Sequence, residues 1–270
     1  MSNASGTQST GMNVSSNVLF HFTNSLGHLV NILTNEFSPR YCPEYTLGEE
    51  NGSAGRGKAK GPQFAFPMVC FCDLPLSLIK SHLAHYGMYG IGMHKHWGIM
   101  RGITPVLYIH TKSLLLGALK SWANGEPAER ESSIPFRINR RYDDVMNVMR
   151  YVRLYEGLEW RNGSCNEGVK FYDEREWRYS PVGISSIESV LDRKSYTNKD
   201  MMEEFTARLK HKYALHFSPD DVEYIIVKYE DEVLPMVRHL KNIKGGKYTE
   251  DQVSILTTSI ISANRIFEDF

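Results

Sequence analysis

No apolar run in this chain is long enough to cross a bilayer. The longest, such as 103–109, stop far short of the roughly 20 residues a spanning helix needs. Residues 1–16, MSNASGTQSTGMNVSS, lack the basic start and apolar centre of a signal peptide and read as a disordered tail. Neither sign of charge is in excess: Lys plus Arg and Asp plus Glu both number 31. That balance supplies no overall field toward nucleic acid or an anionic membrane. Cysteine is sparse. Cys42, Cys70, Cys72 and Cys165 make no disulfide-scaffold pattern, and a reducing, cytoplasmic location is expected. Cys70 and Cys72 share a strand face and, with Cys42, His82 and His85, invite a zinc reading. However, C-x-C followed by H-x-x-H matches no common structural zinc pattern, so buried free thiols fit better and no metal is expected. The Walker loop, G-x-G-x-x-G, G-x-S-x-G and H-E-x-x-H are also missing, which leaves nucleotide hydrolysis, Rossmann binding and zincin chemistry without support.

What is present is the composition of a globular protein, 41% hydrophobic and 23% charged. The length suits one domain over 17–270. VLFHF (18–22) reads as a short strand, and 25–35 as a helix with Leu26, Leu29, Val30 and Leu33 on one face, capped by Thr23 or Asn24. Residues 46–63 are rich in glycine and charge and read as a mobile surface loop. FAFPMVCFC (64–72) is a buried strand. A helix is expected over 73–87, with Asp73 as N-cap, Pro75 in its first turn and Gly87 as C-cap. Residues 89–93 and 105–110 are strand candidates. From about 111 to 160 the pattern turns helical, interrupted by Pro127 and Pro135, which predicts a helical insertion with Asp143 and Asp144 at a helix start. Residues 162–168 read as a turn, 169–182 as a strand entering a second one, 201–215 as a helix, 221–230 as a strand and 231–243 as a helix, before one or two short helices in the tail. Strands and helices mix without regular alternation, which predicts an α+β fold with the insertion seated on a mixed sheet.

Three separated stretches carry the polar groups of interest. One is His21-Phe22-Thr23, a second is Phe71-Cys72-Asp73 with the helix reaching His82 and Tyr86, and the third is DEREWRYSPV. In a strand, Glu174, Glu176 and Arg178 share one face, and Arg175, Trp177 and Tyr179 the other. A strand carboxylate beside an aromatic wall, with a histidine on another strand, suits cleavage of a glycosidic bond: the carboxylate stabilises an oxocarbenium-like centre and holds ribose hydroxyls. The same spacing equally describes cross-strand ion pairs of Glu174 and Glu176 with Arg175 and Arg178 on a solvated face. His82 and His85 fit surface or satisfied core positions, and Tyr86, Tyr89 and Trp97 fit the core.

The blocks LFHFTNSLGHLVNIL, PRYCPEY, PMVCFCDLPLSLIKSHLAHYGMYGIGMHKHWG, TPVLYIH and EREWRY resemble, in order and approximate spacing, the AbiGi family of abortive-infection phage-resistance proteins. That resemblance implies a defence protein described as the antitoxin-like half of a two-gene system, partnered with a toxic nucleotidyltransferase-like protein. The order of a first-strand histidine, a middle strand and helix with an aromatic, and a late glutamate is also similar to ADP-ribosyltransferase-like folds. Here the resemblance implies that His21 and Thr23 touch the nicotinamide ribose of NAD, that Tyr86 stacks on or flanks it, that Arg40 meets the pyrophosphate, and that Glu176 is the catalytic carboxylate. The chain departs from that pattern in lacking a glycine after His21 and in carrying CFCDLP at the middle motif. Two functions are thus expected as alternatives: ADP-ribose transfer or NAD cleavage, or a non-catalytic antitoxin that restrains a toxic partner.

Overall fold

The first strand forms where aromatic and aliphatic residues crowd a short segment, and the chain turns as soon as polar residues follow. β1 (Val18–Thr23) leads into α1 (Leu26–Asn35), whose cap is Ser25 rather than Thr23 or Asn24: the Ser25 side chain accepts from the backbone N–H of His28. In this computed structural model, residues 15–44, 64–123, 144–161, 164–181 and 186–269 are described. β2 (Arg40–Glu44), β3 (Phe64–Cys72), α2 (Lys80–Tyr86), β4 (Tyr89–His94) and α3 (Lys95–Met100) come next. They are followed by β5 (Thr104–Pro105), β6 (Leu107–Ile109), α4 (Leu114–Ala123), a helix α5 over 144–149, β7 (Val152–Leu154), β8 (Gly157–Arg161), β9 (Ser164–Val169) and β10 (Glu176–Tyr179). The last part holds α6 (Ser186–Ser189), β11 (Leu191–Asp192), α7 (Arg193–Thr197), α8 (Lys199–Lys212), β12 (Val222–Val227), α9 (Val233–Lys244), α10 (Glu250–Thr258), β13 (Ile260–Ser262) and α11 (Ala263–Asp269).

The fold is α+β. Its main sheet runs β13-β12-β4-β1-β3-β10-β5, with β2 and β11 pairing to the first half of β3. It is a mixed sheet, since β12 and β13 are parallel while β1, β3, β4, β10 and β12 pair antiparallel with their neighbours. Helices cover both faces. On one face Leu19, Phe71, Ile91 and Ile225 pack with Leu29 and Leu33 of α1 and with Met236 and Leu240 of α9. On the other, Phe20, Cys72 and Ile226 meet Leu83 of α2 and Ile266 of α11. Phe66 and Met68 on that second side meet Leu116 and Leu119 of α4 and Met146 and Met149 of α5. Each such leucine, fully withdrawn from water, contributes roughly 1.5–3 kcal/mol.

Several expectations are corrected. The segment after β3 is not one helix: residues 76–78 form a 3-10 turn and α2 begins only at Lys80, without a side-chain cap. Asp73 is drawn elsewhere, accepting from the Ser15 hydroxyl at 2.9 Å, the Ser16 backbone N–H at 2.8 Å and Lys95 Nζ at 2.7 Å. Ser15 and Ser16 are therefore ordered, whereas 1–14 of the expected tail and the expected loop at 46–63 lie outside the described residues. Among the described residues, the insertion is helical only in α4 and α5. Residues 152–154 form a strand parallel to β6, and β8 pairs with β9 where a continued helix and a turn were expected. Pro127, Pro135 and Asp143 lie outside the described residues. The expected 169–182 strand is interrupted by a 3-10 turn over Phe171–Glu174, and the tail contributes the strand β13 as well as helices. Among the described residues, no helix is long and apolar enough to cross a membrane.

Gly87 ends α2 as expected, its N–H bonding to the Leu83 carbonyl with φ at 131°. A Cβ placed there would lie 2.3 Å from the Thr23 carbonyl oxygen, a contact that backbone alone makes and that nothing flexible can relieve. Gly87→Ala is therefore expected to lower stability by about 2 kcal/mol or more. At Gly117, inside α4, an added Cβ meets nothing within 4 Å, so Gly117→Ala is expected to raise stability by up to about 1 kcal/mol. Urea midpoints of the two variants test the contrast, and shifts of the same sign would refute it.

Candidate functional site

The segment EREWRY owes its geometry to one backbone residue. Arg175 adopts the left-handed conformation (φ 48°) and ends the 3-10 turn, so Glu174 belongs to that turn and Glu176 is the first residue of β10. Glu176 and Arg178 then alternate onto one face, opposite Cys72 and Cys70 of β3. Arg178 is fully buried. Its Nε donates to Glu176 Oε1 at 2.7 Å, and its Nη2 donates to Glu176 Oε2 and to Glu44 Oε1, both at 2.9 Å. Its Nη1 donates to the Arg150 carbonyl at 2.9 Å. A second guanidinium, Arg153 of β7, lies 3.3 Å from Glu44, 3.1 Å from Glu174 and 3.5 Å from Glu176, with its Cζ 4.3 Å from the centre of the Phe171 ring.

Two guanidiniums thus serve three carboxylates, and the sharing is unequal. Burial acts to raise the Glu176 carboxyl, but Arg178 and Arg153 outweigh it and hold the group at about 2. Glu174 receives one nitrogen of Arg153 and a hydrogen bond with Tyr86; there burial wins and its pKa is raised. Burial, then the neighbouring Glu174, pushes the Tyr86 phenol far up, so it stays a neutral donor. For Cys70, the hydrogen bond with Cys42 and then burial push the thiol well above its usual value. Tyr108 of β6 completes the arrangement by accepting the Glu176 backbone N–H at 2.8 Å. Glu44, Arg153 and Tyr108 were not singled out by the sequence reading. The signal for Arg153 was the alternation Val152-Arg153-Leu154, obscured because the segment was read as helix.

The sheet separates the residues that the resemblance grouped. Phe20 and Glu176 are both register partners of Cys72, so they share a face, and His21 next to Phe20 points the other way. There its ring packs at 5.3 Å from Phe37 and 5.7 Å from Phe71, while Nδ1 bonds to the Cys70 carbonyl at 2.7 Å. Burial lowers the His21 pKa. Thr23 lies on the His21 side, opposite Tyr89. Arg40 is exposed at the start of β2, and Tyr86 lies on the Glu176 side through its bond with Glu174. Of the residues assigned to NAD, the structure therefore brings together Tyr86 and Glu176, and leaves His21 and Thr23 across the sheet. Glu174 meets Arg153, not Arg175 or Arg178; Arg175 instead lies over Tyr172. Trp97 and Tyr89 are core residues, His82 is buried, and His85 bonds to Glu159 at 2.9 Å. Cys42, Cys70 and Cys72 are free thiols, and among the described residues no group of three His, Cys, Asp or Glu could hold a metal; the side chain of Cys165 lies outside them.

A buried pair loses more from removal of one partner than it contributes intact, because the survivor is left charged and dry. Glu176→Gln is expected to cost about 3–5 kcal/mol, leaving Arg178 undercompensated. Glu174→Gln is expected to cost less, since burial already favours its neutral form. The Glu176 pKa is depressed in the fold, so its contribution is complete above the ordinary value of 4.5 and is lost as pH falls through about 2. Chemical unfolding at pH 7 and pH 3 checks both points: the Glu176→Gln deficit should shrink at the lower pH, and a constant deficit would contradict the assignment.

The family described as "Putative abortive phage resistance protein AbiGi, antitoxin" matches residues 35–228. An "Abortive phage resistance protein AbiGi" of Lactococcus lactis subsp. cremoris is 28% identical over 265 residues, covering 87% of this chain and 99% of the relative. No solved structure matches the chain. The match spans β2, β3, the whole Glu–Arg cluster and β12, and on that extent the chain belongs to the AbiGi family of abortive phage resistance proteins.

Proposed function

We propose that this protein works by binding: an antitoxin in an abortive-infection phage-defence system that restrains a toxic protein partner on an ADP-ribosyltransferase-like scaffold, with no reaction at Glu176. The observation that carries this reading is the state of the Glu176 carboxylate. Both of its oxygens are taken by Arg178, its residue is buried, and His21 lies on the opposite face. A carboxylate that must stabilise a cationic centre needs at least one oxygen aimed at a substrate. In this protein the charge is spent inside the fold, joining β2, β7 and β10. The description of the family as an antitoxin supports the same reading.

The experiment separates fold from chemistry. Cells carrying the wild type, Glu176→Gln or His21→Ala are infected, and phage protection, folded protein and cellular NAD are measured together. Protection is expected to follow the amount of folded protein in every strain, with NAD the same in wild-type and Glu176→Gln cells at matched folded protein. NAD depletion or ADP-ribosylated product in wild-type cells, abolished by Glu176→Gln at an equal amount of folded protein, would overturn the reading in favour of catalysis.

A further inference from the structure

The overall balance of charge conceals an uneven distribution. Residues 15–35 contain no Asp, Glu, Lys or Arg, and residues 233–249 contain Arg238, Lys241, Lys244 and Lys247 with no Asp or Glu. These two stretches carry α1 and α9, which touch each other on the His21 side of the sheet, where Leu29, Leu33, Met236 and Leu240 share one core. Acidic residues border the pair at Asp231, before α9, and at Glu250 and Asp251, in the first turn of α10. The two carboxylates closest in sequence are taken. Glu36, which ends α1, is buried and meets His216 and Lys247, and Glu232 accepts from Tyr89 and from the backbone N–H groups of Lys228 and Tyr229.

Helical spacing turns one stripe of each helix outward. In α1, burial of Leu29 and Leu33 leaves Asn24, His28, Asn31 and Asn35 in line; His28 bonds to Asn24, and Asn35 donates to Asn31, along that line. In α9, burial of Met236 and Leu240 does the same for Leu234, Arg238 and Lys241. Arg238 and Lys241 are exposed and pair with no carboxylate among the described residues. Lys247, in the turn that follows, is 63% exposed and 3.6 Å from Glu36. Leu234 is the only large apolar side chain exposed on either helix.

We propose that the outward sides of α1 and α9 form a nucleic-acid contact surface that grips the phosphodiester backbone. This goes beyond restraint of a toxic partner and does not depend on it. Side-chain amides, an imidazole and three exposed cations, with no carboxylate in either stripe, are the groups that meet phosphate and sugar oxygens. A protein partner fits less well, because the centre of a protein interface is apolar or aromatic, and here that centre would be Leu234 alone. A second copy of this chain would set cation against cation. Neither stripe exposes an aromatic ring on which a base could stack, so contact is through the backbone and independent of base sequence.

The test is fluorescence anisotropy of the full chain with a labelled single-stranded RNA and a labelled DNA duplex of the same mixed sequence. Three phosphate contacts predict weak binding whose affinity falls roughly twentyfold for the single strand, and roughly fortyfold for the duplex, between about 50 and 200 mM salt. Binding of either polymer on that slope supports the proposal, and the tighter of the two identifies the source of the phosphates. The double variant Arg238→Gln, Lys241→Gln should bind on the order of tenfold or more weakly and reduce the salt slope by about two. Its melting temperature should not change, since both side chains are exposed. Asn31→Asp, which adds charge of the wrong sign to α1 with almost no change of shape, should also weaken binding, whereas Lys199→Gln on α8 should leave it as it is. No binding at about 50 mM salt, an affinity that ignores salt, or unchanged binding by the double variant or by Asn31→Asp would overturn the proposal. Equal displacement of the nucleic acid by polyglutamate would overturn it as well. Each of these failures leaves the antitoxin reading untouched.

Discussion

The pairing of Glu176 with Arg178 is the constraint around which the second side of the sheet is arranged. A guanidinium with no exposed area needs acceptors inside the protein, and four of the five N–H groups of Arg178 have one. Two come from its own strand neighbour, one from Glu44 on β2 and one from the Arg150 carbonyl at the end of α5. Three chain segments far apart in sequence therefore have to converge on one residue. Arg153 then adds a second bridge between β7 and the same carboxylates, and Tyr108 fixes the β6 backbone against β10. The insertion is fastened to the sheet by charge and hydrogen bonds at this corner and by apolar packing of α4 and α5 beyond it.

The two faces of the sheet consequently have different characters. On the His21 side the rings of Phe37, Phe71, Trp97 and Phe217 form a dry aromatic cluster, and the imidazole is one more ring in it, with its Nδ1 satisfied by a carbonyl. On the other side the polar groups are ordered by unequal competition for two cations. Glu176 keeps its charge because Arg178 grips it at two points, whereas Glu174 is left with the weaker share. A perturbed carboxyl is often read as a sign of catalysis, yet structural ion networks perturb carboxyls by the same physics.

Elements with a strong local period were legible in the sequence. The α1 stripe of Leu29 and Leu33, the apolar run of β3, and β12 with the following α9 all declared themselves. Residues 150–160 did not, because Val145, Met146 and Met149 of α5 and then Val152 continue a helical spacing into a segment that pairs with β6 instead. β13 is three residues long and takes its strand form from pairing with β12, which no local pattern announces. At the site, alternation placed Glu176 and Arg178 on one face, but the pair forms within β10 and is buried, where cross-strand pairing on a solvated face was the expectation. The partners Glu44 and Arg153 were not legible, because long-range pairing leaves no local trace. Nor was the separation of His21 from Glu176. Alternation sets faces within a strand, but only the register that places both Phe20 and Glu176 opposite Cys72 sets them between strands.

The Glu44–Arg178 contact closes a span of 134 residues, and Glu44–Arg153 one of 109. Chain-closure entropy grows only slowly with such lengths, so the final state loses little by having them far apart. The time course is different. Contacts of high sequence separation form after local ones, and a bare guanidinium cannot be buried before its acceptors arrive. The expected order of assembly is collapse of β1, α1, β3 and β4 on the aromatic side first, with β10 and the insertion docking last. During synthesis Glu44 emerges more than a hundred residues before either arginine that will neutralise it, and it waits in water until the corner can close.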